Sequence, residues 1–418
     1  MESVAELHRR IEELSLVITR QQEVLRDLEN TRAAAKRDLN AICDPIARLP
    51  LEISSEIFMH CLPDEPGLRP SEAPMILLGI CHFWTNIAFS IPTLWATIFT
   101  EYKSSEGYRE LLEVWIGRAG TLPLSLSWHG PVDLLPGLLV QHAHRLRNLH
   151  VDVDASDKSL WSLLASYSSM TKLSLSAELG IYSMDTCVRL LLAAPELVEC
   201  DLISMFFDRG RPDPLTHPRL QDLRLGKPQV RYARTATTQS TSSYLLRCLT
   251  LPALRSLEIS FFDILSGDFV SFLNRSSAPL QSLHMHIPEN GWTTQTVNEF
   301  FRHMSGLRDL HLVGFLGELN NFHPFLETFP TAKDFLPSLR KLTLRGEPRG
   351  SDGFLYDRFV SVLSSRRVSG HARLQSFKFI VETELEDPGP DPDVVAALRE
   401  LTQDGMHIHV GPQGRNYI

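Results

Sequence analysis

Leu280-Gln-Ser-Leu283-His-Met285 and then Leu307-Arg-Asp-Leu310-His-Leu312 repeat one phrase: apolar, two variable residues, apolar, one variable residue, apolar. The same phrase starts at Leu146, Met170, Leu197, Leu220, Leu254, Leu339 and Leu374, and Met406-His-Ile408-His-Val410 is a shorter last copy. The nine full copies begin 24, 27, 23, 34, 26, 27, 32 and 35 residues apart, a spacing that marks an internal repeat. Apolar residues two apart predict a short strand that points them to one side, towards a core. Between the phrases the spacing turns helical, as in Cys187-Val-Arg-Leu-Leu-Leu192, Phe269-Val-Ser-Phe-Leu273, Val297-Asn-Glu-Phe-Phe301, Phe359-Val-Ser-Val-Leu363 and Val394-Val-Ala-Ala-Leu398. Leu160-Trp-Ser-Leu-Leu164 has the same helical spacing. One strand and one helix cannot bury their apolar faces alone, so neighbouring units should stack into one continuous core of α/β class.

The array from about Leu122 to Val410 resembles leucine-rich repeats. That resemblance implies an irregular solenoid over residues 122–411, with a parallel sheet on its concave face, helices on its convex face and a short tail at 412–418. The Asn or Cys usual three residues after the last apolar position is missing; Asp154, Glu178, Met205 and Pro288 stand there. Two polar stretches, Lys227 to Ser243 and Glu382 to Asp393, read as loops.

Residues between the inward leucines face the other way and should form the exposed sheet surface. Its charge runs from mixed and acidic to basic. The tentative substrate-binding residues are His284, His286, His311, Lys341, Arg345 and Lys378. His284, His286 and His311 invite a zinc reading, but their neighbours Ser282, Asp309 and Val313 add one carboxylate and no Cys. No metal site and no cofactor are expected, and an ordinary solvated face is the competing reading of the whole surface.

Upstream lies a stretch of different periodicity, Pro45-Ile-Ala-Arg-Leu-Pro-Leu-Glu-Ile-Ser-Ser-Glu-Ile-Phe-Met-His-Cys-Leu62, then Ile80-Cys-His-Phe-Trp84 and Ile91-Pro-Thr-Leu-Trp95. Pro50 suits a first helical turn, so a helix is expected from Leu49-Pro50 to about Leu62 with Ile53, Ile57, Phe58, Cys61 and Leu62 on one face. A second helix is expected from Pro74 to Phe89 with two apolar stripes. A unit of this size buries a modest share of its surface, so its second apolar face asks for a partner.

Leu49-Pro50-x-Glu52-Ile53, Ile57-Phe58, Ile80-Cys81-x-x-Trp84 and Pro92-x-Leu94-Trp95 resemble an F-box of the kind expanded in mushroom-forming fungi. The resemblance implies docking on the Skp adaptor of a cullin-based (SCF-type) ubiquitin ligase, while a downstream domain holds a protein substrate. It places adaptor contact on Leu49, Pro50, Ile53, Ile57, Phe58, Leu62, Ile80 and Trp84 of an F-box-like helical domain at 44–100. His82 and Thr85 stand where basic residues are common in that family, and Pro63-Asp-Glu-Pro-Gly-Leu-Arg-Pro70 lengthens the turn between the helices.

Residues 1–43 form the first region. Val4, Leu7, Ile11, Leu14, Ile18, Gln21, Leu25, Leu28, Arg32, Ala35, Leu39 and Ile42 keep alternating steps of three and four, a heptad seam interrupted by Gln21 and Arg32. A coiled coil giving self-association through residues 4–42 and a lone amphipathic helix folded back on its own chain both fit this pattern. Residues 101–121 should connect through a helix at about Gly107 to Arg118, and Leu122 to Trp128 alternates as a strand would.

A net charge of −9 and a pI near 6.0 argue against a general nucleic-acid surface. The six cysteines are scattered and form no Cys-x-x-Cys pair, as expected of reduced core residues. The N-terminus has no signal-like apolar run and the chain no 18-residue apolar run, so the expected location is cytoplasmic and/or nuclear, with no membrane contact. Gly-x-Ser-x-Gly, Gly-x-x-x-x-Gly-Lys, His-Glu-x-x-His and Gly-x-Gly-x-x-Gly are all missing, so the chain is not expected to be an enzyme itself. The reading is a non-catalytic substrate receptor of an SCF-type ubiquitin ligase. The alternative is a leucine-rich-repeat scaffold whose F-box-like helices only cap the array.

Overall fold

The computed structural model of the chain describes residues 4–101, 108–130, 141–153, 167–177, 181–203, 206–207, 210, 213–226, 242–260, 266–287, 292–318, 322–331, 335–347, 353–368, 374–381, 389–403 and 405–418. The chain is mixed α/β, with a twelve-stranded sheet and, among the described residues, twelve α-helices. It divides into two compact units, Met1–Leu124 and Ser125–Ile418. Among the described residues no helix is long and apolar enough to cross a membrane.

In the second unit, every repeated phrase becomes a strand. Leu146–Val153, Lys172–Ala177, Glu199–Ile203, Asp222–Leu225, Ser256–Ser260, Ser282–His286, Asp309–Glu318, Lys341–Glu347, Ser376–Val381 and His407–Pro412 pair side by side in that order, all parallel. The register aligns equivalent apolar positions. Leu149, Leu173, Cys200, Leu223, Leu257, Leu283, Leu310, Leu342, Phe377 and Ile408 form one cross-strand row. Val151, Leu175, Leu202, Leu225, Ile259, Met285, Leu312, Leu344, Phe379 and Val410 form the next, and both rows are buried. A one-residue slip would turn these side chains out to water, so the pattern itself selects the register.

Helices cover the apolar side. Met184–Ala193 starts at Ser183, whose side chain accepts from the Thr186 backbone N–H, and Thr294–Phe301 starts with a reciprocal Thr293–Thr296 capping box. Ser266–Ser276, Thr294–Phe301, His323–Thr331, Gly353–Val368 and Pro392–Gln403 pack each on the next. Phe359 lies 5.1 Å from Phe377 and 4.9 Å from Phe379, ring centre to ring centre, so helix Gly353–Val368 sits on the inward face of the strand after it.

Two helices in this unit were not anticipated. Ser242–Cys248 begins inside the stretch expected to be a loop, and His323–Thr331 carries Pro324 and Pro330. Pro324 falls in the first turn, where its missing N–H is tolerated, so the prolines misled the local reading. Pro392 and Asp393, expected in a loop, open helix Pro392–Gln403. Residues 227–241 and 382–388 of the two expected loops, and the helical segment at Leu160–Leu164, lie outside the described residues.

In the first unit, Val4–Cys43 is one 40-residue helix. Helix Leu51–His60 starts one residue after Pro50, which caps it in extended conformation. The core is built on indoles. Trp95 donates to Ala88 O at 2.9 Å, Trp115 donates to Trp95 O at 3.0 Å, and the two rings meet edge to face with centres 5.1 Å apart. Helix Tyr108–Arg118 buries Leu112, Trp115 and Ile116 there.

The expected single helix from Pro74 to Phe89 is two, Met75–Leu78 and His82–Ser90. Cys81 between them is extended, with φ −157° and ψ 167°. The Thr85 hydroxyl lies 3.0 Å from the carbonyl oxygens of Leu78 and Cys81, and so reaches Leu78 O, which a continuous helix would pair with the His82 N–H. The break also lets Leu77 and Cys81 enter the same core as Ile87 and Ala88.

Candidate functional site

Two surfaces carry the residues singled out by the sequence, one in each unit. On the first unit, Asp44 organises the start of the helical domain. Its carboxylate accepts from the Ile46 backbone N–H at 2.8 Å and from the Trp84 indole. Trp84 in turn rests against Phe58, ring centres 5.0 Å apart. Phe58 is fully buried, so it belongs to the core and offers no contact surface, contrary to the expectation from the sequence. Ser54 and Phe58 form the buried face of helix Leu51–His60, whereas Ile53 is 49% exposed. The reason is geometric: the helix packs on His82–Ser90 and on the turn Pro92–Trp95 through an i, i+4 pair, and Ile53, one residue before that pair, lies at the edge of the packed face.

Leu49 and Pro50 are exposed, Ile80 is 38% exposed, and Ile57, Leu62 and Trp84 are half-buried. Leu62, Ala73, Ile76, Ile80 and Trp84 border an open groove of about 430 Å³. Leu51, Met59, Ile76 and Phe83 are further exposed apolar side chains of this unit that the sequence did not assign to contact. For Ile76 and Phe83 the signal is the second apolar stripe of the 74–89 segment, of which Ile87 alone is buried.

On the second unit, the face opposite the leucines brings Asp201, Arg224, Glu258, His284, His311, Thr343, Lys378 and His409 into one cross-strand row. Its acidic end is internally paired. Arg224 Nε stands 3.6 Å from Asp201 and 3.9 Å from Glu258, and Glu258 lies 3.5 Å from His284 Nδ1. Burial pushes the Asp201 carboxyl up, against the pull of Arg224 and Lys172. The His284 and His311 rings stack 4.1 Å apart at 6°, and His286 lies 5.7 Å from His284. Burial, then His284, Arg345 and His286, hold the His311 pKa down to about 3, while Glu258 works weakly in the opposite sense. His311 is therefore neutral at physiological pH.

Lys341 and Lys378 are exposed and Arg345 half-buried, which leaves the later strands with outward positive charge. Lys341 also lies 3.8 Å from Asp309. The three histidines sit together as the sequence suggested, but as stacked rings. Among the described residues the one cluster with metal-ligand spacing is elsewhere, at His129, His150 and Asp152. The alternating pattern placed His129 one residue beyond the expected end of its strand, so it went unnoticed; strand Leu124–His129 includes it.

No protein-family model matches the chain, and a search of curated proteins finds no match either.

Proposed function

We propose that the chain is the substrate-recognition subunit of an SCF-type cullin–RING ubiquitin ligase, docking through residues 44–100 on the Skp adaptor. The observation that carries this reading is a helical unit with its own core, on Phe58, Trp95 and Trp115, that still exposes apolar Leu49, Ile53 and Ile80 at F-box-like positions. Isolated exposed apolar residues are ordinary, but all three match a docking motif, and Ile80 borders a groove with Leu62 and Trp84. The polar sheet face of the second unit, with His284, His286, His311, Lys341, Arg345 and Lys378, would hold a protein substrate. Catalysis then needs no residue of this chain, because tethering raises the substrate's effective concentration near a charged ubiquitin carrier. The expected location is the cytoplasm and/or nucleus.

Affinity purification of the tagged chain tests this directly. Leu49→Ala with Pro50→Ala should remove the adaptor and cullin from the recovered complex, a loss of about 2 kcal/mol or more of binding. Both side chains lie outside the core, so the circular dichroism spectrum should not change. Undiminished adaptor recovery, or no adaptor with the parent chain, would leave the capped-scaffold reading in its place.

Helix Val4–Cys43 would pair two copies of the chain. Leu7, Ile11, Leu14, Ile18, Leu25, Leu28 and Leu39 of its seam are exposed along the helix, which favours pairing over the folded-back alternative. In the first half of the helix Val4, Ile11 and Ile18 occupy one heptad position and Leu7 and Leu14 the other, the division that suits parallel two-stranded coiled coils; further on Leu25 and Leu39 take the first position. In sedimentation velocity the full chain should run as a dimer and a chain starting at Asp44 as a monomer; a monomeric full chain at tens of micromolar would exclude strong pairing.

A further inference from the structure

The geometry points to a divalent-metal site of the zinc class on the second unit, built by His129, His150 and Asp152. These three residues can each bring one ligand atom to within 4.8 Å of the others. His129 Nδ1 and Asp152 Oδ2 stand 2.9 Å apart, and the two imidazole rings are 5.4 Å apart between centres, tilted by 50°. A tetrahedral ion with bonds of about 2.0–2.2 Å needs donors roughly 3.3–3.5 Å apart, so small side-chain rotations close the cluster around a metal.

The scaffold holds the ligands on one side. Trp128, Leu149 and Val151 are buried on the opposite face, which by strand alternation aims His129, His150 and Asp152 the other way. Asn148 donates to Ser125 Oγ at 3.0 Å, and the Trp128 indole donates to Gly130 O at 3.1 Å. The first bond ties the two strands together two residues before His150, and the second pins the chain just after His129. Ligands carried on strands locked in this way are better placed than ligands on loops.

The donor set chooses the ion. Two imidazoles and one carboxylate suit Zn²⁺ and its neighbours Co²⁺ and Ni²⁺, whereas Mg²⁺ and Ca²⁺ want mostly oxygen and the soft Cu⁺ ion wants sulfur. Three protein ligands leave a fourth position open. The His129 and Asp152 side chains are 29% and 46% exposed, so that position is open to a water molecule or to a donor side chain of a bound partner. Binding exchanges the His129–Asp152 hydrogen bond for two metal–ligand bonds, and the proton of the neutral imidazole moves to its other ring nitrogen.

Cobalt titration of the chelator-stripped full chain tests the site, because Co²⁺ in such a field absorbs visibly. One equivalent should give d–d bands with no thiolate-to-cobalt band in the near ultraviolet, and Zn²⁺ should displace it while Mg²⁺ should not. His150→Ala and Asp152→Asn should each weaken binding by more than about 100-fold, beyond the loss typical of outer-shell changes. His129→Gln provides a third, near-isosteric variant, and the metal-free melting temperature of each checks that it folds. Absence of d–d bands at millimolar cobalt would overturn the site. So would bands that persist in two of the folded variants, or a thiolate band assigning the ion to exposed Cys43 or Cys61.

Discussion

Phe301→Ala should lower the stability of the second unit by about 3–5 kcal/mol, the usual cost of truncating a buried phenylalanine. Phe301 ends helix Thr294–Phe301 and meets four rings nearly edge to face: Trp292 at 6.1 Å, Phe300 at 5.1 Å, Phe325 at 5.7 Å and Phe335 at 5.5 Å between centres. Phe325 belongs to the next helix and Phe335 to the turn leading into strand Lys341–Glu347, so one ring joins two successive repeats. Each aromatic pair adds about 0.5–1.5 kcal/mol beyond the area it buries, and alanine loses all four. Stacked repeats hold each other through nearest-neighbour contacts, so the effect should spread to strands Ser282–His286 and Asp309–Glu318. Amide hydrogen exchange in those strands reads the loss locally, which matters because a chain of two units need not unfold in one step. Leu192→Ala, at a side chain 60% exposed, serves as the control and should change stability by less than about 0.5 kcal/mol. Equal exchange rates in the two variants would refute the role given to Phe301.

Acidification from about pH 6.5 should destabilise the same unit through His311. The His311 imidazole has an ordinary pKa of 6.5 and is held down to about 3 in the fold, chiefly by burial and then by His284, Arg345 and His286. The unfolded chain therefore binds a proton below about pH 6.5 that the folded chain refuses until about pH 3. Because the unfolded state holds more protons in this window, stability falls as pH falls through it. The loss should total roughly 2–4 kcal/mol by the low end, allowing for screening of a group that is not wholly buried. Glu258 works against the effect, since its carboxylate favours the imidazolium. Asp201, whose pKa burial raises, acts in the reverse sense, costing stability as pH rises through its own titration. Comparison with a His311→Gln chain over pH 6.5 to 5 isolates the His311 contribution, because Asp201 is present in both. His311→Gln should flatten the dependence of the urea midpoint on pH in that interval; an unchanged slope would refute the assignment.

The repeat was legible because it rests on short-range pattern. Leu283 and Met285, two apart, had to share a side of any strand, and nine copies of that spacing made only one parallel register bury every pair. The polar row from Asp201 to His409 follows from the same alternation, so the sequence already contained which residues meet on that face. Helix His323–Thr331 was not legible, because its two prolines spoke against a helix that packing on both neighbouring helices stabilises.

In the first unit the sequence determined roughly where helical segments lie and that one apolar face was in surplus, but not the break at Cys81. It did not determine which apolar residues are spare. Phe58 and Ile53 look alike in a helical pattern, and only the placement of Trp84 against Phe58 sends one into the core and leaves the other at the surface. The cluster of His129 with His150 and Asp152 depends likewise on two strands being joined in one register, tied at Ser125 and Asn148. Local alternation determined the sheet and its two faces, because a strand's side chains obey a period of two whatever surrounds them. Tertiary structure alone decided which apolar residues are buried and which exposed, and which histidines stack and which stand beside a carboxylate, because those depend on distances between residues far apart in the chain.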